Sequence, residues 1–105
     1  MYLVIHGFKK TVTTAGTAER LTDNDFKVDA VCIQALAANT NDAYIGDNQV
    51  DKDLKNGHCL DARESITFTA KDLGMADAKI SLRDIWVDVD TSSEGVVATY
   101  FIRAD

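Results

Sequence analysis

The chain lacks proline entirely and has only two cysteines, two histidines and one tryptophan in 105 residues. No repeat and no internal linker divides it, so its length fits one domain spanning residues 1–105. Cys32 and Cys59 are too few for a disulfide framework. Cys32 alternates with apolar neighbours and reads as a small buried hydrophobe. A Cys32–Cys59 bridge would need neighbouring strands to bring the two together, and a reducing cytoplasm would keep both thiols free. With His6 and His58, the cysteines match no standard zinc spacing.

No apolar run approaches the ~18 residues that a membrane helix needs. Met1 to Ile5 is apolar, but no basic segment precedes it and no small-residue cleavage site follows soon. It reads as a strand rather than a signal peptide. Basic residues are scattered. The net charge is −6, from 17 acidic and 11 basic side chains, and Lys9-Lys10 is the only adjacent basic pair. Such a field repels phosphates, so nucleic acid is not an expected partner. Gly-rich phosphate cradles are missing. Neither histidine sits in a motif that would hold a base beside a nucleophile. Asp47, Asp51, Asp53, Asp88 and Asp90 reflect an acidic chain, and carboxylates without a cleft define no glycosidase. Asp47 to Asp53 offers oxygen ligands but lacks the glycine and glutamate of an EF-hand loop, so it reads as solvated. No catalytic residue, cofactor or metal ligand is assigned, and the chain reads as a non-enzyme.

What is present is β-structure. A hydrophobic fraction of 46% excludes a disordered tail. At this size a chain hides roughly 65% of the surface it exposes unfolded, enough for one core. Tyr2 to His6 and Phe8 to Thr13 read as one long strand bent at Gly7. Thr17 to Leu21, Lys27 to Leu36, Ala43 to Ile45 and His58 to Leu60 are further candidates. Ser65 to Ala70 alternates, with Ile66 and Phe68 on one face. Lys71 to Ala78 reads as a loop or a single helical turn. Ile80 to Asp90 reads as extended, and Thr91 to Gly95 as a turn leading into a strand over Val96 to Arg103. The pattern predicts a late hairpin from about Ile85 to Arg103. It also predicts a core containing Val31, Ile33, Ile66, Phe68, Ile85, Val87 and Val89. Short strands with regular turn signals predict an all-β chain, a single antiparallel β-sandwich of jelly-roll type.

Two features point to contact surfaces. Tyr2 to Phe8 is apolar on both faces, more than a half-exposed edge strand should be. Residues 1–13 are therefore a candidate subunit-contacting arm, with Tyr2, Val4, His6 and Phe8 as candidate interface residues. Trp86 shares a face with Asp84, Asp88 and Asp90. Three carboxylates are not buried unpaired, so that face is expected to be wet or covered by a partner. Trp86 then reads as an interface anchor, as a ring under a neighbouring loop, or as a sugar-stacking platform.

Thr14-Ala15-Gly16-Thr17-Ala18, Val31 to Ala35, Ala38 to Asp47, Ala62 to Ile66 and Trp86 to Asp90 together resemble motifs of small structural proteins of tailed bacteriophages. The likeness covers about three quarters of the chain. Asp61-Ala62-Arg63-Glu64-Ser65 lacks the Pro and Gly that members usually carry there. The resemblance implies a virion structural protein, specifically a capsid decoration (cement) protein assembled in the host cytoplasm. It also implies the major capsid protein or other virion proteins as partners, and a homo-oligomer, a trimer by preference. The alternative is a carbohydrate- or receptor-binding module of a tail or head fibre.

Overall fold

A computed structural model describes residues 2–54, 56–70 and 79–104. The strands are β1 (Tyr2–Thr11), β2 (Glu19–Arg20), β3 (Lys27–Val28), β4 (Ala30–Ala35), β5 (Ala43–Gly46), β6 (His58–Leu60), β7 (Ser65–Thr69), β8 (Ile80–Ser81), β9 (Trp86–Val89) and β10 (Gly95–Ala104). Among the described residues there is no α-helix, and the strand ladders are antiparallel. The all-β expectation holds. The segment Lys71 to Ala78 lies outside the described residues.

One sheet runs β1-β10-β4-β7, a second runs β2-β9-β5-β6, and β3 pairs with β8. Both draw on a single core. Val31, Ile33, Ala35, Val96 and Ala98 of the first sheet join Ala43, Ile45, Leu60, Val87 and Val89 of the second in one buried cluster. Each fully enclosed aliphatic side chain contributes about 1.5–3 kcal/mol relative to exposure. Ile66, Phe68 and Ile85 fall short of the enclosure expected of core residues. They are half-buried against the cluster and line an apolar groove of about 440 Å³ with Ile45 and Ile80.

The expected late hairpin is absent. β9 and β10 follow one another in sequence, yet they belong to different sheets. The turn between them carries the chain from one sheet to the other. Ser93 takes the left-handed region at φ 72°, and its N–H donates to Val12 O at 2.8 Å. Gly95 is required at the crossing, because a Cβ there would lie 2.0 Å from Lys10 O. The extended run expected over Ile80 to Asp90 is also interrupted. Leu82–Asp84 forms a 3-10 turn that buries Leu82 and leaves Ile85 outside any strand.

The turn Ala38 to Asp42 makes a similar crossing, from β4 to β5. The two crossings are clipped together. The Asn39 amide donates to Gly95 O at 2.8 Å, and the Glu94 carboxylate accepts from Thr40 N–H and Thr40 Oγ1, each at 2.8 Å. Burial pushes the Glu94 carboxyl up, but the bonds from Thr40 and Asn41 win and hold it below its ordinary range.

Candidate assembly interface

The N-terminal segment is the edge strand of the first sheet. β1 pairs with β10 along its whole length, from Tyr2↔Ala104 to Thr11↔Gly95. The sheet order gives β1 no neighbour on its other side among the described residues. The third strand stops short of the ribbon's end, since β4 reaches only as far as Ala30↔Phe101. The last β1–β10 pairs thus extend past β4, in a molecule measuring 41 × 24 × 22 Å.

The phase of the ladder decides which groups are free. Val12 N–H donates to Glu94 O and Val12 O accepts from Ser93 N–H, so Val12 bonds toward the β10 side. Alternate residues of an antiparallel strand address the same neighbour. The even-numbered residues of β1 therefore serve β10, and the main-chain groups of Leu3, Ile5, Gly7, Lys9 and Thr11 point outward. β10 agrees: Gly95 O accepts from Leu36 N–H and Phe101 O from Asp29 N–H, which directs its odd residues to the β4 side.

The side chains follow the same parity. Val4, His6 and Phe8 lie opposite Ile102, Tyr100 and Ala98 on the core face. Val4 and Phe8 are half-buried there, while His6 is exposed. The rings of His6, Phe8 and Phe26 gather around nearly buried Tyr100, with centroids 5.5, 6.0 and 5.6 Å away. Tyr2 begins the strand. On the other face Leu3 is 56% exposed and Ile5 57%. Of the candidate interface residues, Val4, His6 and Phe8 thus lie on the face that carries Tyr100, and Leu3 and Ile5 lie on the opposite face.

Trp86 is half-buried. Arg20 stands opposite it in the β2–β9 ladder, and its guanidinium lies 5.2 Å from the ring centroid. One ring face therefore already has a cationic cover. The expectation that the Trp86 face would be wet or covered by a partner is corrected at Asp88. Asp88 is completely buried beneath the chain's own loops. Its carboxylate accepts from Gly16 N–H at 2.9 Å, Lys52 N–H at 2.8 Å and Val89 N–H at 2.8 Å. Main-chain donors satisfy the charge, so no partner is needed.

Nearby, the Tyr44 hydroxyl reaches both Asp90 carboxylate oxygens at 3.2 Å. Burial first, then the Asp90 charge, pushes the Tyr44 phenol up. The Cys59 thiol donates to Asp42 at 3.2 Å and is pushed up to about 11, by burial and then by that bond. Cys59 is exposed on the second sheet and Cys32 is half-buried on the first, and both thiols are free.

The arrangement offers main-chain pairing and apolar contact along β1. Comparison of the chain with family models, curated proteins and solved structures finds no match.

Proposed function

We propose that this chain is a structural protein of a tailed-bacteriophage virion, a small jelly-roll-like β-sandwich that decorates the head and stabilises it by protein–protein contact. Its partners are the major capsid protein, other virion proteins and copies of itself, and its site of action is the virion assembled in the host cytoplasm. The observation that carries the adhesive part is the open edge of β1. Among the described residues this ten-residue strand has no strand neighbour on the side away from β10, and Leu3 and Ile5 are each more than half exposed. Natural sheets blunt such edges with charge, proline or bulges unless the edge has a use. β1 has its lysines only at Lys9 and Lys10, and no acidic residue.

The phage reading is supported by where the resembling motifs lie. Thr14 to Ala18 supplies Gly16 N–H to Asp88 of the Trp86–Asp90 motif. Ala38 to Asp47 supplies Tyr44 to Asp90 of the same motif. Residues far apart in sequence hold one another in place, so the shared pattern encodes a scaffold rather than reaction chemistry.

The test is co-sedimentation with heads of the phage whose genome carries the gene. The wild-type chain is expected to bind assembled heads, and Ile5→Glu is expected to lose at least tenfold in affinity while keeping its fold. A gene placed away from capsid and tail genes, or binding to host glycans without binding to heads, would overturn the reading.

A further inference from the structure

We propose that β1 pairs antiparallel with β1 of a second copy of this chain, Ile5 facing Ile5 across a twofold axis. Two four-stranded sheets then become one eight-stranded sheet through two molecules. The inference rests on the adhesive reading above and names the partner of the edge.

The outward main-chain groups belong to Leu3, Ile5 and Gly7, as the phase of Val12 requires. A twofold axis at Ile5 sets Leu3 against Gly7, Val4 against His6, and Ile5 against itself. The odd residues are then the pairs that exchange hydrogen bonds, which is the condition for a continued antiparallel ladder. A shift of one residue would leave outward groups facing groups already bonded to β10. On the outer face, Leu3 and Ile5 of each copy meet, two apolar side chains that are each more than half exposed in the single chain.

Charge permits the contact. Tyr2 to Phe8 contains no acid, lysine or arginine, although each copy carries a net charge of −6. Charges more than about 8 Å apart are largely screened at physiological salt. In this register Lys9 and Lys10 fall at or beyond the ends of the seven-residue ladder, so no lysine opposes a lysine.

The sheet's other edge is a poorer partner. β7 has five residues, and the β1–β10–β4–β7 registers put Ser65, Thr67 and Thr69 on the face that carries Leu3 and Ile5. A head-to-tail β1–β7 contact would set Leu3 and Ile5 against hydroxyls. Self-pairing sets them against each other and closes the assembly at two copies.

The experiment combines molar mass with cross-linking. Light scattering of the wild-type chain should give about twice the 11.5 kDa of one chain, and Ile5→Glu should halve that mass with an unchanged circular dichroism spectrum. In a Cys32→Ser/Cys59→Ser background, Ile5→Cys should form a disulfide-linked dimer on mild oxidation, whereas Lys9→Cys should not. A monomer at all concentrations, a trimer, or equal cross-linking at Ile5→Cys and Lys9→Cys would overturn the pairing. If the chain is monomeric and Ile5→Glu still abolishes head binding, self-pairing falls and the adhesive reading stands. If Ile5→Glu disturbs neither mass nor head binding, both fall.

Discussion

Asp88 shows how a buried carboxylate can organise a small all-β chain. Three N–H groups from three segments converge on it, and two of them, at Gly16 and Lys52, belong to loops. Asp88→Ala should destabilise the fold by roughly 2–5 kcal/mol, since it removes a buried acceptor and leaves three main-chain donors without it. Asp88→Asn should cost less, because its amide retains one accepting oxygen. Urea unfolding of both variants checks the order, and equal stability of Asp88→Ala and wild type would refute it. Asp61 instead faces other carboxylates. A hydrogen bond and then the charge of Asp42, followed by the Glu64 charge, push its carboxyl from 3.8 up to about 6. The raised folded value means that protonation favours the fold. This contribution is fully present below about pH 4 and is lost as pH rises through about 6. Asp61→Asn should therefore raise the melting temperature at pH 7 relative to wild type, with the gain shrinking toward pH 4. A gain independent of pH would show that the Asp42 contact does not set the titration.

At the scale of the strands, enclosure separates residues that alternation alone treats alike. Ile33 is fully buried, while Phe68 is half-buried and lines the groove. Ile33→Ala should cost about 2–5 kcal/mol. Phe68→Ala should cost less than the ~3–5 kcal/mol of an enclosed phenylalanine, because one side of its ring gives up little packing. Equal losses in denaturant midpoint would mean the groove is filled. Gly95→Ala should prevent the crossing onto β10, and a native-like spectrum for that variant would contradict the 2.0 Å approach to Lys10 O. Alternation made the strands legible: Val31 and Ile33, and Val87 and Val89, point inward as their spacing predicts. It carried no information on partners. β9 and β10 are joined by a short polar turn, the usual mark of a hairpin, and the crossing to the other sheet lies in long-range contacts to Val12, Asn39 and Thr40. Asp88 was misread for the same reason. Its donors are main-chain N–H groups, which leave no trace in side-chain patterning.

For the whole molecule, the pairing proposed above places the uncharged stretch Tyr2 to Phe8 at the contact between copies that each carry a net charge of −6. The apolar character of this stretch was legible in the composition of Tyr2 to Phe8, but the outward set Leu3, Ile5 and Gly7 required the register with β10. The most direct measurement is amide hydrogen exchange along β1, in the chain at high dilution and in its assembled state. Val4, His6 and Phe8 amides, which face β10, should be protected in both. Leu3, Ile5, Gly7 and Lys9 amides should exchange rapidly at high dilution, and at least Leu3, Ile5 and Gly7 should slow by tenfold or more on assembly. Odd-numbered amides that remain fast in every assembled form, or that are as protected as the even ones in the isolated chain, would contradict the assignment of β1 as the adhesive edge.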